Sequence, residues 1–274
     1  MKNHQNNMKL KIPHLILAVA STGLILASTS ANAAFIIVDE KFDGTGNAIS
    51  GTTAETFDSA ITTAGGSDTW TSSSYFKDNG NYSGGPQPRS ARLNLGSYLN
   101  DAKGTVTGKF DLTATISSGS VDWLSLGFRN SGSTNISNNF ETFGGIGTMI
   151  LQNNGDIDMF GGVGNANEVA ADDVTYSGPR TLTVSLDLTS AGGYDGTSNF
   201  GTVTFSDSVA GEFGSYTYTS DQNFQSILIS SATGPGGGLT GDYDALTLVQ
   251  MPEPSSAALL GLGGLALMLR RKRS

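Results

Sequence analysis

Residues 181–188 read Thr-Leu-Thr-Val-Ser-Leu-Asp-Leu, a strict alternation of polar and apolar side chains. Successive side chains of a β-strand point to opposite faces of a sheet, so this period predicts a strand with one buried and one solvated face. Residues 106–116 and 124–128 alternate in the same way. In the second of these segments, the period places Trp123, Ser125 and Arg129 on the solvated face.

Eight further segments are short, rich in apolar residues and bounded by Gly, Asn, Asp or Ser, which is typical of strands. They are residues 35–42, 91–95, 148–152, 157–160, 202–205, 216–219, 226–230 and 243–249. Asn154-Gly155 lies between two of them and predicts a hairpin turn, because both residues tolerate a positive φ. No apolar stripe of helical period appears between residues 34 and 250. About eleven strands at this spacing predict an all-β fold, an antiparallel β-sandwich of the jelly-roll kind.

The first 33 residues predict a secretory signal peptide. Lys2, Lys9 and Lys11 precede the apolar run 15–27, and Ala31-Asn32-Ala33 supplies the small residues that signal peptidase requires. Cleavage is expected between Ala33 and Ala34. The apolar run is shorter than the about 20 residues that span a bilayer, which disfavours the alternative of an N-terminal membrane anchor.

Removal of that segment limits the chemistry of the remaining chain. Both histidines, His4 and His14, lie within it, and the sequence has no Cys. These facts exclude Ser-His-Asp and Cys-His catalysis, His- or Cys-based zinc sites and disulfides in the rest of the chain. Between the two ends lie eight basic and 23 acidic residues. Such an acidic body does not favour binding to nucleic-acid phosphates, whereas binding of divalent cations stays open.

The C-terminal 24 residues form three consecutive parts. Pro252, Glu253 and Pro254 come first, and the two prolines end the preceding strand because neither donates to a strand ladder. Residues 257–269 are apolar and predict a short helix. A basic cluster that would stay on the cytoplasmic side of a membrane follows; it consists of Arg270, Arg271, Lys272 and Arg273.

This tail resembles the PEP-CTERM sorting signal of exopolysaccharide-producing bacteria, which a membrane protease of the exosortase type processes. Met251 stands where that family more often has Val. The resemblance implies a precursor anchored in the inner membrane, processing by signal peptidase and exosortase, and release to the cell surface or extracellular matrix. The alternative is an ordinary C-terminal anchor. The chain thus divides into a signal peptide (1–33), a β-sandwich domain (34–250) and a sorting tail (251–274).

The body weakly resembles concanavalin-like and carbohydrate-binding jelly rolls, through residues 38–44 and 242–246 near its two ends. This resemblance implies that the first and last strands pair and that an Asp of the last strand helps to hold a structural calcium ion. Asp39, Asp43 and Asp244 are the predicted ligands, since Ca²⁺ binds through oxygen atoms. The alternative is that these acids only protect strand ends from edge-to-edge pairing.

Sugar-binding faces combine aromatic side chains with neighbouring polar groups. Trp123 and Arg129 are the candidate ligand-binding residues, and Trp70, Tyr75 and Tyr82 are further aromatic candidates in predicted loops. Glycoside hydrolysis needs two positioned carboxylates, and the Glu-x-Asp-x-x-Glu pattern of concanavalin-like glucanases is absent, so no catalytic residue is predicted. The sequence favours a non-enzymatic envelope or matrix protein that binds polysaccharide. The alternatives are a glycan hydrolase or lyase that uses Asp and Glu carboxylates, and a purely structural surface protein.

The sorting hypothesis predicts the ends of the exported protein. Peptide mass spectrometry of material from the native host should find no peptide that starts before Ala34 or extends much beyond Pro254, because both end segments are removed. Intact tails on most of the extracellular molecules would contradict this expectation.

Overall fold

The computed structural model describes residues 34–83, 89–117, 119, 121–130, 144–164, 166–172, 178–189, 199–232 and 240–251. The signal peptide and the sorting tail predicted at the two ends lie outside these residues. The described elements are β1 (Phe35–Glu40), β2 (Thr56–Phe57), α1 (Ser59–Thr63), β3 (Trp70–Ser72), β4 (Asn81–Ser83), β5 (Arg89–Asn94), α2 (Tyr98–Asp101), β6 (Lys109–Ser117), β7 (Trp123–Arg129), β8 (Gly145–Gln152), β9 (Ile157–Val163), β10 (Glu168–Asp172), β11 (Arg180–Asp187), β12 (Thr202–Asp207), β13 (Gly211–Thr217), β14 (Ser226–Ala232) and β15 (Thr240–Gln250). Neither helix in this part of the chain is long and apolar enough to cross a membrane.

The strands form two antiparallel sheets. One sheet has the order β13-β12-β11-β6-β15-β1-β2, with β4 also paired to β15, and the other has the order β10-β9-β8-β7-β14-β5-β3. The buried apolar side chains of both sheets belong to one common core. The predicted antiparallel β-sandwich is therefore confirmed. The first and last strands pair as the jelly-roll resemblance implied, with Phe35 opposite Gln250 and Glu40 opposite Leu246.

In the eight-stranded sheet, buried and partly exposed residues alternate along the strands as the sequence predicted. Every second residue of β6 and of β11 is buried, and the residues between them are partly exposed. Leu112 lies opposite Val184 in the ladder, so the apolar residues of the two strands share one face. Val106 was predicted to belong to the β6 strand. It precedes the strand and is 67% exposed, because pairing of β6 begins only at Lys109.

The predicted hairpin at Asn154-Gly155 is confirmed between β8 and β9. The N–H of Gly155 donates to the carbonyl of Gln152, and the N–H of Gln152 donates to the carbonyl of Asp156. Gly155 has a φ of 94°, whereas Asn154 does not adopt a positive φ. Glycine alone therefore provides the left-handed residue of this turn, which it does without a steric penalty from Cβ.

Tyr243 of β15 connects the two sheets through the core. Its hydroxyl donates to the carbonyl oxygen of Ser125 on β7 at 2.8 Å and lies 3.2 Å from the carbonyl oxygen of Ser230 on β14. Tyr243 is 1% exposed, and burial raises the pKa of its hydroxyl. The hydroxyl therefore stays protonated and can donate its hydrogen bond. Because β7 and β14 are neighbours at the middle of the second sheet, one side chain contacts both.

We expect Tyr243→Phe to lower the free energy of unfolding by about 1 kcal/mol, because two buried carbonyl groups lose their cross-sheet donor. Urea denaturation measures this difference. Tyr98→Phe is the matched control: its hydroxyl makes only a 3.4 Å contact with Gln250, so its effect should stay below about 0.5 kcal/mol. Equal effects of the two substitutions would show that the hydrogen bond from the Tyr243 hydroxyl to the second sheet does not stabilise the fold.

Candidate ligand-binding face

The side of the seven-stranded sheet that faces away from the core is the candidate site and is called the outer face below. The alternate residues Leu124, Leu126 and Phe128 of β7 belong to the core, so the residues between them point to the other side. Residues that lie opposite each other in a ladder share a face, so the pairing of β7 with its neighbours assigns their residues to the same two sides. The outer face then includes Thr71, Ser90, Arg92, Asn94, Trp123, Ser125, Gly127, Arg129, Thr148, Ile150, Gln152, Asp158, Phe160, Ser226, Leu228 and Ser230.

The outer face was predicted to be solvated on β7, and this prediction is wrong. Ser125 is fully buried and Arg129 is only 1% exposed. On the adjacent β14, Ser226 and Ser230 are fully buried as well. The hydroxyls of Ser125 and Ser230 hydrogen-bond to each other across the two strands. A period of two identifies which residues share a face, but it carries no information on whether that face is covered.

An apolar cluster occupies one part of the outer face. Ile150, Phe160 and Leu228 are buried there, and the partly exposed Trp123 packs against them. These residues come from β7, β8, β9 and β14 and are brought together by the ladder alone. Trp123 is thus held on a firm apolar support with part of its ring still accessible. The sequence had identified Trp123 as a candidate. It did not identify the three apolar residues, because β8, β9 and β14 have apolar residues on both faces and the period then does not tell which of them lie outside the core.

Two arginines occupy the other part of the outer face, on either side of β14. Arg129 of β7 lies opposite Ser226, and Arg92 of β5 lies opposite Leu228. Burial and, to a smaller extent, the nearby positive charge of Arg92 lower the pKa of Arg129 to about 10. Burial also lowers the pKa of Arg92. Burial disfavours the charged form of a guanidinium group, and so does a like charge nearby.

The predicted calcium ligands do not come together in one cluster. Asp39 lies on β1 opposite Thr247, and Asp43 is exposed just beyond that strand. Both lie near Lys41, whose pKa is raised by its hydrogen bond to Glu55 and then by the charges of Glu55, Asp39 and Asp43. No group of three acidic residues in the described part of the chain is placed to hold a metal ion. The calcium site stays a prediction from the sequence.

Asp244 has an acidic neighbour, Asp242, two residues before it on the same strand. It is exposed on β15, where the ladder to β6 shifts register between Tyr243 and Ala245. Burial and the charge of Asp244 raise the pKa of Asp242. A buried oxygen of Asp242 has no hydrogen-bond partner among the described residues.

Two aromatic candidates from predicted loops belong to the core instead. Trp70 is 1% exposed and Tyr82 is fully buried. The indole N–H of Trp70 donates to Glu40 at 2.8 Å, which satisfies both buried groups. Burial raises the pKa of Glu40 although this bond and one from the Phe42 N–H lower it. Trp70 and Tyr82 lie in the short strands β3 and β4, which the sequence analysis had assigned to a loop.

Comparison with known families identifies the C-terminal segment. Residues 252–273 match the family described as the PEP-CTERM protein-sorting motif. The predicted recognition of this tail is therefore confirmed, and the motif implies export with exosortase-dependent sorting. The match covers the tail and leaves the sandwich unassigned. The comparison with curated proteins returned no match.

Carbohydrate recognition domains are among the solved structures that are similar to this chain. The metal-free Emp46p carbohydrate recognition domain is 13% identical, with a TM-score of 0.42 over 65% of this chain and 87% of that chain. The Emp47p domain is 14% identical, with a TM-score of 0.39 over 60% and 78% of the two chains. The VIP36 exoplasmic/lumenal domain, in a Ca²⁺- and Man3GlcNAc-bound form, is 10% identical, with a TM-score of 0.39 over 66% and 83%.

The predicted calcium ligands generate a direct test. An ion that binds only the folded chain adds about 2.7 kcal/mol to the free energy of unfolding at a hundredfold excess over Kd. We expect millimolar calcium to raise the Tm by several degrees, at roughly 2–4 °C per kcal/mol, and a chelator to reverse the rise. Asp244→Asn should abolish the calcium-dependent rise.

Glu212→Gln, an exposed substitution on β13 at the opposite edge of the sheet from β1, is the matched control and should leave that rise unchanged. A Tm that responds neither to calcium nor to chelator would return Asp39, Asp43 and Asp244 to the interpretation as solvated strand ends.

Proposed function

We propose that the chain is an exported cell-envelope or extracellular-matrix protein that binds polysaccharide through the outer face and performs no catalysis. Its partners in maturation are signal peptidase and an exosortase-type membrane protease. The precursor is held at the inner membrane, and the processed protein reaches the cell surface or the matrix. In this proposal residues 1–33 and the tail 251–274 serve sorting, while the sandwich of residues 34–250 carries the binding activity.

The sorting part of the proposal is supported by the tail. The match to the PEP-CTERM motif spans Pro252 to Arg273, which includes the motif, the apolar segment and the basic cluster. The N-terminal features of a signal peptide agree with it, because a sorting tail acts only on a chain that is already exported. The sandwich follows Ala33 and ends at Met251, so processing at both sites would leave its strands intact.

The binding part of the proposal depends on one observation, the combination of groups on the outer face. A partly exposed Trp123 lies on an apolar support, and the partly exposed side chains of Arg92, Gln152 and Asp158 lie along the same face. An aromatic ring offers apolar area for a sugar ring, and guanidinium, amide and carboxylate groups offer hydrogen bonds to its substituents. The central strands β7 and β14 are held in place from the core side by Tyr243, so the groups are presented on a rigid support.

The alternative of a hydrolase or lyase finds less support on this face. Glycosidases place two carboxyl groups about 5–10 Å apart across the bond that they cleave. Asp158 lies on the outer face, where Gln152 donates a hydrogen bond of 2.7 Å to its carboxylate. An amide partner holds that carboxylate but provides neither a second acid nor a base. The third alternative, a purely structural surface protein, requires no ligand at this face.

A glycan array with the exported protein tests the proposal, and Trp123 is the residue to vary. Trp123→Ala should reduce binding about tenfold or more, because stacking area is lost, whereas Trp123→Phe should keep much of it. Val163→Ala on β9 is the control, since it removes an exposed apolar side chain outside the cluster. Circular dichroism of each variant checks that the sandwich is retained.

Each alternative has its own outcome. Release of reducing ends from a panel of polysaccharides would establish the hydrolase or lyase in place of a binding protein. No binding to any glycan, with the sandwich folded, would overturn the proposal and leave the structural role.

A further inference from the structure

We propose that one end of the eight-stranded sheet docks on the lipid surface of the inner membrane while the sorting tail anchors the precursor. This inference rests on the anchored precursor of the proposed function and adds the surface of the sandwich that contacts the lipid. Four apolar residues form this surface and are called the apolar end below. They are Phe35, Ile36, Val106 and Met251, and each is exposed.

The pairing of β1 with β15 brings three of these residues together. Phe35 lies opposite Gln250, and Ile36 lies opposite the partly exposed Val249. Successive side chains of a strand point to opposite sides, so Phe35 and Ile36 supply apolar area on both sides of the sheet. Met251 follows Gln250 directly, at the same end of the ladder.

Val106 joins this group from the other side of β15, where β6 begins. The side-chain amide of Gln250 donates to the carbonyl of Thr107, and the N–H of Met251 donates to the carbonyl of Lys109, both at 2.8 Å. Val106 directly precedes Thr107. Since neighbouring strands lie about 4.8 Å apart, the ends of β1, β15 and β6 fit within about 10 Å of sheet width.

The apolar end concentrates the exposed apolar area of the sandwich. Its four residues are between 36% and 67% exposed, and in the described part of the chain two other large apolar side chains are exposed, Val163 and Val209. Single exposed apolar residues are ordinary on protein surfaces, whereas several that adjoin each other are typical of a surface that contacts a partner or a membrane.

The chain itself brings a lipid surface close to the apolar end. Five residues, 252–256, separate Met251 from the apolar segment 257–269, and a chain of that length extends over at most about 20 Å. In the anchored precursor that segment lies in the membrane, so the end of β15 stays within this distance of the lipid. Apolar side chains that enter the boundary between headgroups and acyl chains are removed from water, which favours the contact.

Charge does not provide this attraction. Between the two ends of the chain lie eight basic and 23 acidic residues, and anionic lipids repel such a body. The contact is therefore apolar and depends on the tail, which holds the sandwich at a high effective concentration beside the membrane. Docking keeps Pro252, Glu253 and Pro254 at the membrane surface, where a membrane protease acts. Cleavage removes the tether, and the acidic sandwich then leaves the lipid.

Site-specific labelling tests the contact, because the sequence has no Cys and one introduced Cys carries a fluorophore at a known position. The chain from Ala34 to Ser274 is incorporated into phosphatidylcholine vesicles, and access of an aqueous quencher to the label is measured. We expect protection of labels at Ile36→Cys and Val106→Cys, unchanged by salt because the contact is apolar. Replacement of part of the lipid by phosphatidylglycerol should not increase the protection. The processed protein with the same labels should stay unprotected.

Val209→Cys is the matched control and should stay accessible to the quencher. Val209 is 43% exposed but lies at the opposite end of the sheet. Lys109 at the start of β6 pairs with Asp187, and Asp187 pairs with Thr202, so these residues lie at the end where β6 begins. β12 runs from Thr202 to Asp207, away from that end, and the turn with Val209 follows.

A second variant tests the apolar character of the contact. Phe35→Ser combined with Met251→Ser should lower the ratio of docked to free sandwich about tenfold or more, because two apolar side chains no longer leave water. The label at Val106→Cys reports this ratio, and circular dichroism checks that the sandwich is retained. Unchanged protection in this folded variant would contradict the inference.

The outcomes separate this inference from the proposed function. Equal quenching at the three labelled positions, in a chain that floats with the vesicles, would overturn the docking and leave the anchored precursor standing. A chain that does not float with the vesicles would overturn both. Protection of Ile36→Cys without vesicles, increasing with protein concentration, would show that a second copy of the chain covers the apolar end and would overturn the lipid contact.

Discussion

The hydroxyl of Tyr243 is the contact on which the geometry of the sandwich depends most. The chain has no Cys, so the two sheets are held together by the core and by polar contacts across it. Tyr243 reaches the backbone of β7 and β14, the two strands whose other side forms the centre of the outer face. Ser125 and Ser230 accept this contact through their carbonyl oxygens and join their hydroxyls on the outer face. One tyrosine therefore couples core packing to the placement of the candidate site.

Polar links toward the two edges of the sandwich complement this central contact. On one side, Arg180 of β11 forms a fully buried ion pair with Asp207 and donates to the carbonyl of Gly155 in the β8–β9 turn of the other sheet. On the other side, Trp70 of β3 donates to Glu40 of β1. Buried ion pairs add little net stability, but removal of one partner leaves an uncompensated charge and is costly. Such contacts therefore fix which strands face each other more than they increase the stability of the fold.

Alternation made the fold predictable, and its limits explain what was missed. The sequence revealed β6, β11 and β7 because their apolar residues recur at every second position. It missed β2, β3 and β4, which contain two or three residues each, too few for any period to appear. It also missed β10, whose register to β9 shifts between Glu168 and Ala170. A period is a property of one strand, whereas short edge strands form because a neighbouring strand offers hydrogen bonds.

The candidate site was predictable only in part for the same reason. Trp123 and Arg129 were assigned to one face from the period of β7 alone. Arg92 and Ser226 join them through the ladders of β14 with β5 and β7, which pair residues more than 90 positions apart. No local pattern in one sequence encodes such a pairing.

The pairing of β1 with β15 has a mechanical consequence. Phe35 at the start of β1 lies opposite Gln250 at the end of β15, so both ends of the sandwich leave it at the same corner. A load applied between these two ends would separate the ladder one residue pair at a time, in the manner of a zipper, instead of shearing all its hydrogen bonds together. The sandwich therefore resists little when pulled by both ends at once. A load carried by only one of the two ends does not pass through this ladder.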